Sequence, residues 1–133
     1  MKLTTKSEYA LLALLYLARH TGSTYASIEV IATAQGIPPK FLEQIMSVLK
    51  NARFVQSAKG IHGGYRLAKK PEQITLAEIV RLLDGALAPT ESVSQYFYEP
   101  TPIEKEKKLL SVFRTIRDQI SKTMENTTIK DVM

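Results

Sequence analysis

The stretch SIEVIATAQGIPPKFLEQIMSVL, residues 27–49, contains two short helical patterns separated by a turn. Ser27 is a favourable N-cap for the first helix, and Gly36 is a typical residue at the end of one. The second helix begins at the proline pair 38–39, because proline is tolerated in a first turn. Its apolar residues recur at i, i+3, i+4 and i+7, at Leu42, Ile45, Met46 and Leu49. Two short helices joined by a tight turn with glycine predict a helix-turn-helix.

A hairpin is predicted directly after these helices. Phe54–Ser57 is a short strand signal, residues 59–64 form a glycine-rich turn, and Tyr65–Leu67 is the returning strand. A two-stranded hairpin in this position is a wing, so the pattern predicts a mainly α winged helix-turn-helix.

The apolar run Tyr9–Ala18 precedes the helix-turn-helix. It is too short to cross a bilayer, which takes about 20 residues. Positive charges such as Lys2 and Lys6 before an apolar run are also typical of signal peptides. However, Thr5 and Glu8 have the spacing of a capping box, which favours a helix of the folded domain. Because this helix is apolar on nearly all faces, we expect it to pack between two neighbours, in a cytoplasmic protein.

The second half begins with another capping box, Thr75 and Glu78, which opens a helix that ends at Gly85. Residues 86–102 are predicted to be an irregular connecting loop, and a long amphipathic helix follows from residue 103. These signals divide the chain into a winged helix-turn-helix domain at 1–85, the connecting loop at 86–102, and a helix with a C-terminal tail at 103–133.

The distribution of charge suggests a polyanionic partner for the first half. The chain has 133 residues, no Cys and a net charge of +5. Residues 1–70 carry 10 Lys and Arg against 3 Asp and Glu, whereas residues 71–133 carry 8 against 10. The absence of Cys excludes disulfides, thiolate metal sites and Cys nucleophiles.

The candidate DNA-binding residues lie on the second helix of the helix-turn-helix and on the wing. Lys, Glu, Gln and Ser side chains on a helix suit the donor and acceptor patterns of the major groove, and glycines let the wing backbone approach phosphate. The predicted contacts are Lys40, Glu43, Gln44 and Ser47 on the helix, and Lys59, Gly60, His62 and Arg66 on the wing.

The long C-terminal helix carries an apolar stripe that is either core or a dimer seam. We favour the dimer seam, because little of the second half remains to cover it. Its predicted dimerisation residues are Leu109, Phe113, Ile116 and Ile120. No metal site is predicted, since His20 and His62 lie far apart with no ligand pattern between them.

Two other classes of function stay open at this point. A protein-interaction adaptor could keep the fold and use its basic face on an acidic protein. A small hydrolase is disfavoured, since the sequence has no nucleophile elbow and no paired-acid motif.

These segments resemble the Rrf-type winged-helix regulators. The resemblance rests on MKLTTKSEYA at 1–10, Gly36-Ile37 through Gln44, Gly63-Gly64-Tyr65, and NTTIKD at 126–131. It implies a bacterial homodimeric transcription factor that binds double-stranded DNA, with a helix in the major groove, the wing toward the minor groove, and the long helix crossing to the partner subunit.

The chain departs from the family pattern in the connecting loop. Cluster-binding members carry three cysteines there, and the corresponding positions here are Ser92, Tyr98 and Glu104. The resemblance is therefore to the cysteine-metabolism repressor branch or to an orphan branch, with no cofactor. Control by a small-molecule or protein effector stays open, and the aromatic run Tyr96-Phe97-Tyr98 is a candidate for it.

Overall fold

The computed structural model describes residues 1–20, 22 and 24–133, and it is mainly helical with a two-stranded antiparallel sheet. The helices are α1 (Thr5–His20), α2 (Ile28–Gln35), α3 (Pro39–Asn51), α4 (Leu76–Asp84), α5 (Lys107–Glu125) and α6 (Ile129–Val132); the strands are β1 (Val55–Ala58) and β2 (Gly64–Leu67). Short 3-10 turns occur at Pro71–Gln73, Glu91–Val93 and Pro102–Lys105. Within the described residues, no helix is both long and apolar enough to cross a membrane.

The predicted helix-turn-helix is confirmed as α2 and α3. The Ser27 hydroxyl accepts a hydrogen bond from the Val30 backbone N–H at 3.2 Å, and Gly36 ends α2 in the left-handed conformation at φ 67°. The four predicted apolar residues of α3 are all buried. Local capping and helical periodicity therefore determine both helices.

Helix α1 is the centre of the main core. It packs against α2, α3, α4, α6 and β2, which cover it on more sides than the two neighbours predicted. Ala10, Ala13, Leu14 and Leu17 are at most 1% exposed, while residues such as Leu11 and Leu15 are half-buried. A helix that is apolar on most faces is stable in water only with this degree of cover.

The start of α1 differs from the prediction by one residue. Thr5 lies inside the helix, and Thr4 caps it: the Thr4 hydroxyl accepts from the Ser7 backbone N–H at 3.3 Å. Asp84 at the end of α4 accepts from both the backbone N–H and the hydroxyl of Thr4. Burial opposes ionisation of Asp84, but these hydrogen bonds outweigh it, and the pKa of the carboxyl is lowered from its usual value.

The wing is confirmed, with β1 one residue later than predicted. Strand β1 is Val55–Ala58 rather than 54–57, because the Phe54 backbone N–H still donates to the Leu49 carbonyl at the end of α3. Val55 pairs with Leu67, and the register continues to Ala58 opposite Gly64. An additional bridge joins Tyr65 of β2 to Ala26, just before α2.

In the second half of the chain, α4 and the connecting loop agree with the predictions, and α5 begins later than predicted. The Thr75 hydroxyl caps α4 through the Glu78 backbone N–H, and Gly85 ends the helix, as predicted. Residues 86–102 contain little regular structure, yet Leu87, Ala88 and Val93 are buried. Helix α5 begins at Lys107 rather than at residue 103, since Pro102–Lys105 forms a 3-10 turn.

The C-terminal tail returns to the core of the first half. The Ile129 backbone N–H donates to the Ile74 carbonyl at 2.9 Å, and the Leu76 N–H donates to the Thr127 carbonyl at 2.9 Å. Ile129 is fully buried in the same core cluster as α1. The tail is thus part of the packing of the winged helix-turn-helix.

Candidate nucleic-acid interface

Helix α3 presents one polar face to solvent. Its predicted contacts, Lys40, Glu43, Gln44 and Ser47, are all exposed, and the buried stripe of Leu42, Ile45, Met46 and Leu49 lies on the opposite side. The helix is fixed on the domain partly by Phe41, whose ring meets Tyr9 of α1 edge to face at 5.5 Å. The exposed face is therefore held on a rigid support and is free to meet a partner.

The wing divides its four predicted residues into two groups. Lys59, Gly60 and His62 are exposed at the tip. Arg66 lies on β2, half-buried, with its guanidinium carbon 4.6 Å from the ring centre of Tyr25. The tip residues can follow the surface of a ligand, whereas Arg66 is held in place by a cation–π contact.

Two wing glycines have a role that differs from the prediction. A Cβ on Gly64 would lie 2.2 Å from the Ala26 carbonyl oxygen, and a Cβ on Gly63 would lie 2.2 Å from that of Ala58. These two glycines thus allow the backbone of the domain to approach itself closely, a role that the sequence did not predict. Gly60, at φ 101°, has open space around it and is free for an external contact.

A groove of about 770 Å³ lies between the wing, the end of α1 and the start of α2. Its walls include Tyr25, Val30, Lys59 and His62, and the Tyr16 and His20 rings, which stack with 4.5 Å between their centres. No carboxylate lines this groove among the described residues. The groove was not predicted, because it forms only where the wing is joined to the segment before α2.

The charge around both elements has one sign over a long stretch. Residues 44–71, which include most of α3 and the whole wing, contain no Asp or Glu and six cations: Lys50, Arg53, Lys59, Arg66, Lys69 and Lys70. Glu43 is the carboxylate that borders this stretch on α3. A surface of this composition attracts a polyanion.

The predicted dimerisation residues on α5 also fall into two groups. Phe113 packs in its own chain against Ala88, Val93 and Leu110, and Ile120 packs against the cluster of Ala77, Val80 and Leu87. Leu109 is 45% exposed, and Ile116 is half-buried. Val112, which was not predicted, is 54% exposed on the same side of the helix.

The family model described as "Iron-dependent Transcriptional regulator", named Rrf2, matches residues 3–133 of this chain. The chain belongs to the Rrf2 family. The resemblance from sequence is confirmed, as is the winged-helix fold.

Named relatives agree with this assignment. The HTH-type transcriptional regulator CymR of Bacillus subtilis is 33% identical over 132 residues, covering 99% of this chain and 89% of CymR. The solved structure of B. subtilis CymR, the global cysteine regulator, superposes with a TM-score of 0.80 at 31% identity, over 99% of this chain and 95% of that one. The structure of T. potens IscR superposes with a TM-score of 0.76 at 30% identity, over 99% of this chain and 85% of that one. This Rrf2 protein is thus similar throughout its length to HTH-type regulators of bacterial transcription.

The donor groups of this Rrf2 protein do not fit an iron–sulfur cluster. Thiolates are the main cluster ligands, and the chain has no Cys. At the loop positions concerned, the Ser92 hydroxyl bonds to Thr101, and the Tyr98 hydroxyl donates to Glu104 at 2.5 Å. Over residues 1–20, 22 and 24–133, no three His, Cys, Asp or Glu side chains are gathered where they could hold a metal.

The aromatic run in the connecting loop is exposed instead of covering core. Tyr96, Phe97 and Tyr98 are 64%, 46% and 57% exposed. The Arg81 guanidinium lies 4.9 Å from the centre of the Tyr96 ring, and the Ser94 hydroxyl accepts from the Phe97 backbone N–H. The loop therefore displays its rings in a defined arrangement.

Proposed function

We propose that this Rrf2 protein is a sequence-specific repressor that binds a two-fold symmetric operator as a homodimer. The observation that carries the proposal is the exposed polar face of α3 beside a basic wing, with no carboxylate in the 28 residues from Gln44 to Pro71. A helix of this kind fits the major groove, and the wing then faces the adjacent minor groove.

The side chains of α3 have different roles in this proposal. Gln44 can make two hydrogen bonds to adenine, Glu43 can accept one from cytosine N4, and Ser47 can bond either kind of base. Lys40 supplies charge to guanine or to phosphate. On the wing, Lys59, Gly60, His62 and Arg66 contact the backbone and the minor groove, so they contribute affinity more than sequence preference.

A dimer is needed for two-fold recognition. One chain has a single α3, and two half-sites require two such helices about 34 Å apart. The exposed side chains of Leu109 and Val112 and the half-buried side chain of Ile116 support a seam on α5, since an apolar stripe of this kind is costly to leave in water. Phe113 and Ile120 hold α5 on its own domain behind that seam.

Regulation is proposed to act through a small molecule or a protein partner, without a bound cluster. The chemistry of the donor groups supports this part of the proposal, because two hydroxyls and a carboxylate, at Ser92, Tyr98 and Glu104, stand where the cluster-binding members have thiols. As a regulator of the bacterial chromosome, the protein is placed in the cytoplasm.

Selection from a random pool of duplex DNA tests the proposed function. The full chain is incubated with the pool at fixed salt, and the bound duplexes are amplified and sequenced over several rounds. We expect a consensus with two inverted half-sites whose centres are one helical turn apart. A pool that keeps a random sequence, although the protein is folded, would contradict the proposal.

A further inference from the structure

Ile61 has an unusual position at the tip of the wing. Its side chain is 98% exposed, whereas the other large apolar side chains in the described part of the chain are at most 64% exposed. It lies between Gly60 and His62, at the point of the hairpin farthest from the β1–β2 ladder. None of residues 1–20, 22 and 24–133 covers this side chain, so burial of Ile61 that contributes free energy has to come from a partner.

The backbone beneath Ile61 is well supported. The Gly63 backbone N–H donates to the Gly60 carbonyl at 3.0 Å and closes the turn. The ladder ends directly below this turn with Ala58 opposite Gly64. The adjacent Tyr65 is joined to Ala26 by two hydrogen bonds of 2.8 Å. A side chain on such a support can be pressed against a partner without the hairpin giving way.

The surroundings of Ile61 decide which partner it meets. Lys59 and His62 flank it, and the nearest carboxylates in sequence are Glu43 and Glu72. An apolar side chain beside a Lys, in a stretch without carboxylates, fits a surface that is negative at its edges and apolar between them. The minor groove of duplex DNA has this character, since two rows of phosphates border a stack of base pairs.

We propose that Ile61 is a wedge that enters the minor groove, partly unstacks one base step and bends the operator. This inference rests on the proposed function and adds to it a source of specificity that no polar contact provides. Bending is easiest at pyrimidine–purine steps such as TA and CA. The operator should therefore carry such a step where each wing lies, even though no wing side chain reads its bases.

Variants of Ile61 test the wedge on a duplex that carries the selected consensus. Affinity is measured by fluorescence anisotropy, and the bend is measured by energy transfer between dyes at the two ends of the duplex. We expect Ile61→Ser to bind about tenfold more weakly, because the burial of one aliphatic side chain is lost. It should also leave the duplex close to its unbound shape, whereas Ile61→Leu should retain both affinity and bend.

Two controls separate the wedge from other effects. Val132→Ser removes an apolar side chain that is 42% exposed on α6, and it should change neither quantity. Replacing the pyrimidine–purine step by a stiff A-tract step should weaken the wild type but not Ile61→Ser. A bend that is the same in wild type and Ile61→Ser would overturn the proposal.

Three further outcomes would also decide the question. If the wild type bound the duplex tightly but left the DNA unbent, the wedge would be overturned and the proposed function would stay intact. Loss of self-association in Ile61→Ser, with the bend unchanged, would assign the side chain to a protein contact and overturn the wedge. If the wild type selected no duplex at all, both the proposed function and the wedge would be contradicted.

Discussion

Tyr65 and Ala26 exchange two backbone hydrogen bonds of 2.8 Å, which fasten the wing to the segment that precedes α2. The wing is therefore fixed by backbone hydrogen bonds to the start of the helix-turn-helix that contains α3. Gly64 makes this connection possible, because the space for a Cβ is occupied by the Ala26 carbonyl group.

We expect Gly64→Ala to lower the free energy of unfolding by about 3 kcal/mol or more, through this backbone clash and through strain at φ 136°. Gly60→Ala is the matched control, because it has a positive φ of 101° but nothing within 4 Å of a Cβ. Gly60→Ala should lower the free energy of unfolding by only about 1–2 kcal/mol. Urea denaturation of both variants checks this, and equal losses would show that the close approach to Ala26 contributes nothing.

Asp84 should make stability depend on pH. Burial opposes its ionisation, but the hydrogen bonds from Thr4 prevail and lower its pKa below the usual 3.8. A lowered pKa in the folded state stabilises the protein above the unfolded-state value, and this contribution is lost as pH falls through the folded-state value. Asp84→Asn should therefore cost about 1 kcal/mol in the free energy of unfolding at neutral pH. Its difference from the wild type should shrink as the pH falls below 3.8.

Asp118→Asn is the control for Asp84. The Asp118 side chain is 67% exposed, and its carboxylate meets the neighbouring Arg117 at 2.7 Å. Exposed ion pairs of this kind contribute little to stability. Asp118→Asn should therefore lower the free energy of unfolding by less than about 0.5 kcal/mol at any pH. A difference between Asp84→Asn and wild type that stays constant from neutral to acid pH would show that the carboxylate charge is not involved.

The dimer seam is tested best at an exposed position. Phe113→Asp would place a charge in the chain's own packing as well as in the seam, so dissociation and unfolding could not be separated. Val112→Asp avoids this, because Val112 is 54% exposed within one chain. We expect it to sediment as a folded monomer, since an unpaired charge in a buried seam costs several kcal/mol.

Arg114→Asp provides the control for Val112→Asp. Arg114 is exposed on the other side of α5, away from the apolar stripe, and its replacement should leave the dimer intact. If Val112→Asp sedimented as a full dimer, the seam would not lie on this face of α5.

The protein should carry no iron–sulfur cluster, because none of its side chains is a thiol. Anaerobic reconstitution with iron and sulfide, followed by visible absorption and metal analysis, should give a colourless protein with unchanged DNA binding. A stoichiometric brown species that altered DNA affinity would contradict this and would direct attention to Glu8, which is exposed at the start of α1.

Local signals in the sequence account for the parts of the fold that were predicted well. The N-cap at Ser27, the stop at Gly36 and the apolar spacing of α3 each act within a few residues, so they can be read directly. The contact of Ile129 with the main core joins residues more than 50 positions apart along the chain. No local pattern in the tail predicts this contact. For the same reason the bridge between Ala26 and Tyr65 was missed, together with the groove that it forms.

The candidate site was predicted in part for similar reasons. The exposed face of α3 follows from helical geometry, so Lys40, Glu43, Gln44 and Ser47 could be placed without a structure. The role of Gly63 and Gly64 depends on which backbone lies next to them, and Val112 stands out only once the packing of Phe113 is known. The exposure of Ile61 likewise depends on where the wing turns.

The most direct test of the account compares Gln44→Ala with Lys59→Ala on the selected operator and on a scrambled duplex of equal length. Gln44→Ala should lose about 1–3 kcal/mol of binding free energy on the operator alone and relax the preference at one base pair. Lys59→Ala should weaken both duplexes alike and reduce the salt dependence of binding by about one unit of slope. Equal losses on both duplexes from both variants would contradict the assignment of α3 as the helix that reads the bases.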